Sequence, residues 1–228
     1  MWVAYDFRGS NPVFWHLLGQ SRSTTRRAFL LLAQAGRPRL LVHIVDQSSF
    51  NPFTVDKVYF RSWREMHELL RSLLPAGSRI AMEYSPQGSL PIVSWADAGT
   101  VELLRGWGHE IISSAELFQA AAASWNVEAL QSHLAVGPLV GAVKDRAFAL
   151  IAEELRAKAR ITEYDVRNFI LEAFAAQGLE TQEAPVVAVN ANSGNPHYEP
   201  TADGSVEIRP GDWVLIDLWA RFPGEMNV

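Results

Sequence analysis

The 228-residue sequence contains no cysteine. This absence excludes disulfide bonds, thiolate metal sites and cysteine nucleophiles, and it is compatible with a reducing cytoplasm. Long apolar runs are also missing, because no stretch approaches the roughly 20 residues that a membrane-spanning helix needs. Asp6 and Arg8 interrupt any apolar signal core at the N-terminus. We therefore expect a cytoplasmic protein that does not bind a membrane.

An excess of positive charge is absent as well. The formal net charge is −5, so the sequence gives no support for nucleic-acid binding. Hydrophobic residues make up 48% and charged residues 20%, which is typical of a globular protein rather than a disordered one. The length suits one large domain or two of modest size.

Several common catalytic motifs are missing from the sequence. There is no GxxxxGK phosphate-binding loop, no GxGxxG after a strand and no GxSxG nucleophile turn. His67 and Glu68 begin a pattern that resembles the zinc-binding HExxH motif, but the fifth residue is Arg71. The second histidine ligand is therefore absent, and this stretch does not predict a zinc site.

Strands alternate with helices over the first 110 or so residues. The pattern predicts strands at 2–7, 29–33, 40–45, 56–60, 79–83 and 110–112, and helices at 62–74 and 96–107. This alternation indicates an α/β domain with a mixed or parallel sheet. The composition becomes alanine-rich and helical at 116–123, and we place a domain boundary there. The predicted domains are residues 1–124 and 125–228.

The second half begins with a long helical zone at 127–160. Gly137 and Pro138 interrupt it, and a proline inside a helix removes a hydrogen bond, so we expect a break or kink there. Thr162 is predicted to cap a further helix that ends at Gly178. A strand at 186–189 and a polar loop at 190–194 follow.

Two residues near the C-terminal end are candidates for chemistry. Asp217 lies in a strand-like run at 213–219 whose two faces are otherwise apolar, so the strand is predicted to be buried on both sides. A buried carboxylate needs a partner, and Asp217 could be a metal ligand or a structural group paired with an arginine such as Arg221. His197, beside Tyr198 in a polar loop, could contact a substrate or be a loop histidine held by backbone contacts.

The order of these segments resembles a known family. Four C-terminal segments resemble the first half of the pita-bread metallopeptidase domain, namely 162–166, 185–190, 196–200 and 210–217. This domain is the fold of methionine aminopeptidase, Xaa-Pro aminopeptidase, prolidase and creatinase. The upstream segments resemble the N-terminal domain of the creatinase and prolidase branch; they are 5–12, 25–27 and 38–46. The resemblance implies an α/β N-terminal domain of this type followed by the first half of an α+β pita-bread domain.

The resemblance also implies a function. Family members hold two divalent metal ions (Mn, Co or Zn) with two aspartates, one histidine and two glutamates. Asp217 matches the first aspartate and is the expected metal ligand. His197 matches the loop histidine, the expected catalytic and substrate-binding residue that helps to stabilise the tetrahedral intermediate. The implied reaction is hydrolysis of an N-terminal peptide bond, often one preceding proline, by a metal-bridging hydroxide. The implied partners are a peptide substrate and a possible homodimer.

Two departures from the family pattern qualify this interpretation. Trp219 stands where many members have glycine in Asp-x-Gly, which predicts a crowded strand face beside Asp217 and a different pocket. The other metal ligands of the family do not occur before Val228, so we expect the chain to be an inactive fragment of a longer enzyme. Two alternatives remain open, namely a creatinase-like hydrolase of a non-peptide C–N bond that needs no metal, and a non-catalytic module that binds peptides or proteins.

Overall fold

The computed structural model describes residues 1–224. The chain divides into two compact units, Met1–Ser124 and Trp125–Val228. Each unit has its own hydrophobic core.

A six-stranded sheet forms the centre of the first unit. The elements of this unit are, in chain order, β1 (Trp2–Phe7), α1 (Pro12–Leu18), β2 (Arg27–Leu32), β3 (Arg39–His43), α2 (Gln47–Phe50), β4 (Asp56–Phe60), α3 (Trp63–Leu73), β5 (Arg79–Met82), α4 (Ala98–Gly106), β6 (Glu110–Ser113) and α5 (Ala115–Ala122). The strand order is β4-β3-β2-β1-β5-β6. The pairs β1–β2 and β2–β3 are antiparallel, and the other pairs are parallel. Of the two sheet types predicted from the sequence, mixed or parallel, the structure has the mixed one.

Both faces of this sheet are covered, because alternate residues of each strand point to opposite sides. Val3 of β1 joins a core that contains Met66 of α3 and Leu104 of α4. The next residue, Ala4, joins a separate core that contains Phe14 of α1. The strands therefore carry apolar residues on both faces, as their near-continuous hydrophobic sequences indicate.

A buried carboxylate ties the central strand to its surroundings. Glu83, which follows β5 directly, accepts hydrogen bonds from Trp2 Nε1 at 2.7 Å and from the Tyr5 backbone N–H at 3.1 Å. It also accepts one from Asn11 Nδ2 at 3.0 Å and one from Ser114 Oγ at 3.1 Å. Burial raises the pKa of Glu83, and these four donors oppose that rise. The carboxylate thus joins β1 to the starts of α1 and α5.

The second unit packs two helices against a two-stranded sheet. Its elements are α6 (Val127–Ala157), α7 (Glu163–Ala176), β7 (Val186–Val189) and β8 (Val214–Asp217), with a 3₁₀ helix (Asn190–Gly194) after β7. β7 and β8 are antiparallel, with Val187 opposite Ile216 and Val189 opposite Val214. The core of the unit combines residues from all four of these elements. The stretch predicted as a polar loop at 190–194 is a 3₁₀ helix.

The ends of α7 follow from its sequence. The Thr162 hydroxyl accepts a hydrogen bond from the Asp165 backbone N–H, and the Asp165 carboxylate accepts one in return from the Thr162 backbone N–H. This reciprocal pair is a capping box, which satisfies two backbone donors at the start of the helix. Gly178 follows the helix with φ +68°, a left-handed conformation that glycine adopts without strain. Both predicted ends are confirmed.

Of the break or kink expected at Pro138, the break is wrong. α6 runs without interruption from Val127 to Ala157, with Pro138 inside it. Gly137, Pro138 and Leu134, the residue four positions before the proline, are all exposed. The backbone hydrogen bond that proline cannot make is therefore lost on the solvent side of the helix, where water can satisfy the carbonyl group.

Candidate functional site

The strand that carries Asp217 has one buried face and one open face. Val214, Ile216 and Leu218 pack against the core of the second unit. The alternate residues face outward, and Trp213 is 68% exposed. Asp217 is exposed as well. The prediction that this strand is buried on both sides is therefore wrong, because only one of its faces packs against the helices of the unit.

Asp217 itself is a solvated carboxylate at the end of β8, opposite Val186 of β7. The side chain of Asp217 makes no hydrogen bond or ion pair within residues 1–224. Arg221, the partner considered from the sequence, instead forms a 3.0 Å ion pair with Glu180. Because Asp217 reaches water, it does not need the partner that a buried carboxylate would require.

The described residues do not form a complete metal site. They contain no group of three or more His, Cys, Asp or Glu side chains placed to hold a metal ion. One exposed carboxylate is a poor site for a divalent cation, because Mn²⁺ and Zn²⁺ need several ligands. The donor set of residues 1–224 therefore does not fit the two-metal centre that the resemblance implies.

His197 lies at the surface, in a tight turn. Its backbone N–H donates to Asn195 Oδ1 at 3.0 Å, and the Tyr198 N–H donates to the Asn195 carbonyl at 3.1 Å. The imidazole is exposed and has no hydrogen-bond partner in the described part of the chain. It is therefore available to a molecule in solution. The structure records no contact between His197 and Asp217.

Glu163 connects the elements of this region, and it was not among the site residues predicted from the sequence. Its side chain is fully buried at the first position of α7. One carboxylate oxygen accepts from the Val189 N–H at 2.7 Å and from Asn192 Nδ2 at 2.9 Å. The other accepts from the Tyr198 hydroxyl at 2.5 Å and from the Val206 N–H at 2.8 Å. One carboxylate thus connects the helix, the end of β7 and the loop that carries His197.

A signal for Glu163 was present in the sequence. It lies three residues before Val166 and seven before Ile170, both of which are buried on the inner face of α7. Residues at this spacing share one side of a helix. A carboxylate on that apolar side must find hydrogen-bond donors or a cation when it is buried, so its position predicts a polar network.

The Tyr198 hydroxyl is held firmly in its un-ionised form. Burial raises the pKa of Tyr198 to about 12, and the hydrogen bond to Glu163 and the charge of that carboxylate add to the rise. A donating hydroxyl is the form that the Glu163 carboxylate can accept. The bond between them therefore persists through the whole neutral pH range.

Trp219 lies two residues beyond Asp217 and is 42% exposed. It lines a cavity of about 230 Å³ with Glu180, Arg221 and their neighbours. Its indole therefore occupies space near the end of β8 that a glycine would leave open.

Comparison with known proteins agrees with the fold. Residues 139–226 match the model of metallopeptidase family M24. The C-terminal part of the chain is thus similar to this family, and the resemblance to pita-bread metallopeptidases drawn from the sequence is confirmed. No match was found among curated protein sequences.

Solved structures extend the likeness to both units. A prolidase from Thermococcus sibiricus is 16% identical, with a TM-score of 0.56 over 97% of this chain and 57% of that protein. A Xaa-Pro dipeptidase from Bacillus anthracis is 13% identical, with a TM-score of 0.53 over 97% and 56%. The N-terminal domain of the FACT complex subunit SPT16 from Cicer arietinum is 10% identical, with a TM-score of 0.55 over 96% and 57%. At these identities the matches define the fold.

The fold is thus an N-terminal α/β domain followed by part of a pita-bread domain, as the sequence predicted. The chain spans a little over half of the length of these structures. Within residues 1–224, no helix is both long and apolar enough to cross a membrane.

Proposed function

We propose that these 228 residues supply the N-terminal domain, the substrate-contacting histidine and the first metal ligand of a metal-dependent peptidase of the Xaa-Pro type. His197 is the proposed substrate contact and Asp217 the proposed ligand. The observation that carries the proposal is the match of residues 139–226 to metallopeptidase family M24. The proposed cofactor is a pair of divalent metal ions, and the proposed substrate is a peptide with proline at its second position.

The arrangement of the two residues supports this role. Both side chains are exposed and have no partner in residues 1–224, so each is free to meet a ligand. The imidazole of His197 has one ring nitrogen that can donate a hydrogen bond and one that can accept, which suits a group that contacts a peptide. Asp217 offers two oxygens of the kind that hard divalent cations prefer.

The proposal requires further ligands from polypeptide beyond these residues, since one carboxylate cannot hold two metal ions. We therefore expect the 228-residue chain to bind Mn²⁺ with a dissociation constant of about 1 mM or weaker, and to show no turnover. Calorimetric titration with Mn²⁺ and an assay of Ala-Pro hydrolysis measure the two properties.

The decisive experiment compares this chain with a longer product read from the DNA that follows codon 228. The longer product should hydrolyse Ala-Pro with Mn²⁺, and Asp217→Asn should lower its activity by more than the roughly 10–100-fold cost of losing an outer-shell metal partner. Asp203→Asn is the matched control, because Asp203 is an exposed loop carboxylate with no hydrogen bond in the described residues. Peptidase activity in the 228-residue chain, or an active Asp217→Asn product, would contradict the proposal.

A second candidate is a non-catalytic module that binds a peptide or protein. It is favoured by the likeness to the N-terminal domain of a FACT complex subunit, which shows that this fold is not confined to proteins named as peptidases. The same titration separates the two candidates. If the longer product takes up no metal, the binding module replaces the peptidase as the better explanation.

A further inference from the structure

The hydrogen bonds of Glu163 reach the candidate histidine through one side chain. Of its four donors, only the Tyr198 hydroxyl comes from the turn that contains His197. The other three donors lie on the end of β7, in the following 3₁₀ helix and at Val206. Within residues 1–224 the turn is otherwise bonded to the unit by the Asn195 N–H, which donates to the Asn192 carbonyl at 3.1 Å. The Tyr198 bond is thus the side-chain attachment of the turn, and it can be removed alone.

We propose that Glu163 and Tyr198 are positioning residues that hold His197 in place to contact a peptide. The inference rests on the proposed function of His197, but it concerns residues to which no role has been assigned. In this role neither side chain needs to contact the substrate, and the Glu163 carboxylate is fully buried. They act by fixing the backbone of the turn from which the imidazole projects.

The geometry of the turn explains why His197 needs the hydrogen bond between Tyr198 and Glu163 to be held in place. The imidazole is exposed, and within residues 1–224 it makes no hydrogen bond or ring contact that would orient it. The two bonds to Asn195 close the turn but do not connect it to the rest of the unit. Because Tyr198 is the next residue along the chain, fixing its ring limits the directions in which the neighbouring His197 can point.

The charge of Glu163 strengthens its hydrogen bond to the Tyr198 hydroxyl. Hydrogen bonds to an ionised acceptor are about twice as strong as those between neutral groups. The carboxylate accepts from four donors, and no cationic side chain of the described residues forms an ion pair with it. It also lies at the N-terminus of α7, where the helix dipole favours a negative charge. Loss of the carboxylate would therefore release the turn and leave buried donors unpaired.

Three variants of the 228-residue chain test the proposal. Tyr198→Phe removes only the bond from the turn. Glu163→Gln keeps one acceptor oxygen and presents an amide donor to the remaining partners. Tyr164→Phe is the matched control, because Tyr164 is a half-buried neighbour whose hydroxyl has no hydrogen bond in the described residues. The probes are amide hydrogen exchange by NMR and the ring resonances of His197.

Tyr198→Phe should accelerate exchange of the His197 and Tyr198 amides by about tenfold or more, while β7 amides and the melting temperature stay close to wild type. The His197 ring signals should shift or broaden as the imidazole samples more orientations. Glu163→Gln should also accelerate amide exchange at His197 and Tyr198 and alter the His197 ring signals. In addition, it should accelerate exchange at Val189 and Val206. Tyr164→Phe should leave all of these unchanged.

Two results would overturn the inference. One is exchange at His197 within twofold of wild type in Tyr198→Phe. The other is an equal acceleration throughout α7 and β7, which is the signature of a merely structural bond. These measurements need neither metal nor substrate. A failed peptidase assay would therefore contradict the proposed function without contradicting the positioning of His197 by Glu163 and Tyr198. The failure of either proposal can thus be distinguished from the failure of the other.

Discussion

At the scale of single residues, buried carboxylates connect segments that are far apart in sequence. Glu83 accepts four hydrogen bonds, and it forms no ion pair in the part of the chain that the structure describes; the donors are Trp2, Tyr5, Asn11 and Ser114. Burial alone would make such a charge expensive. The donors offset that cost, so the stability of the first unit depends on keeping acceptor and donors matched.

Glu83→Gln should destabilise the first unit by roughly 2–4 kcal/mol. The amide has one acceptor oxygen for four donors, so at least one buried donor is left unpaired. Urea unfolding followed by circular dichroism gives the free energy. Glu68→Gln is the control, since Glu68 is exposed on α3 and should change stability by no more than about 0.5 kcal/mol. If Glu83→Gln lowered the free energy of unfolding by no more than the control does, the four hydrogen bonds of Glu83 would not be essential to stability.

Asp212 gives a prediction that depends on pH. Hydrogen bonds from Asn190 Nδ2 and from the Arg209 backbone N–H, each 2.7 Å, lower the pKa of Asp212. The folded state therefore favours the ionised form. Its contribution to stability is fully present above the unfolded pKa, which is near 3.9, and is lost as the pH falls through the lower folded value.

Asp212→Asn should therefore lower the melting temperature at pH 7 and at pH 5, and the difference from wild type should shrink at pH 3. Thermal melts at the three pH values measure this, with Asp203→Asn as a control whose difference stays near zero. A difference that is constant from pH 7 to pH 3 would mean that the charge of Asp212 is not what stabilises the loop.

At the scale of elements, proline inside α6 is the clearest opportunity to gain stability. Pro138 lies on an exposed side, and a proline in a helix interior costs about 3 kcal/mol relative to alanine. Pro138→Ala restores an N–H donor, and we expect it to stabilise the second unit by roughly 1–2 kcal/mol in urea unfolding. Gly137→Ala is the comparison, because a Cβ there meets nothing within 4 Å and should add about 0.5–1 kcal/mol.

If Pro138→Ala were destabilising while Gly137→Ala stabilised, the conclusion would be different. The helix would then need the bend that proline imposes, and the packing of α6 would depend on it.

Most elements could be predicted because their signals are local. The strands at β1, β4 and β7 have the predicted bounds, since short apolar runs there are flanked by turn residues. The capping box of Thr162 and the glycine after α7 are likewise set by a few adjacent residues. Pro138 was misjudged because its effect depends on which side of the helix faces water, and the residues next to it do not show this.

The candidate site could be predicted only in part, because it depends on contacts between distant residues. His197 and Asp217 were found through a family resemblance, and their roles remain predictions. The exposure of Asp217 was missed, since an apolar sequence on both sides of a strand does not say whether a partner layer is present. Glu163 was missed because its donors come from residues 26 to 43 positions away.

At the scale of the whole molecule, two units with separate cores share one chain that spans a little over half of the structures it matches. The first unit covers both faces of its sheet with helices. The second covers one face of β8 and leaves Trp213 and Trp219 exposed on the other. A two-stranded sheet with an apolar open face is a site where other chains can pair or pack.

We therefore expect the 228-residue chain to self-associate through this face. Size-exclusion chromatography with light scattering over a dilution series should show a mass that rises with concentration. Trp213→Lys should reduce the association, because it places a charge on the open face. Trp63→Lys is the matched control, since Trp63 is 55% exposed and belongs to α3 of the first unit. A wild-type chain that stays monomeric at all concentrations, with a cooperative melt, would show that the open face is tolerated in water. An equal effect of both substitutions would trace the association to general surface hydrophobicity rather than to β8.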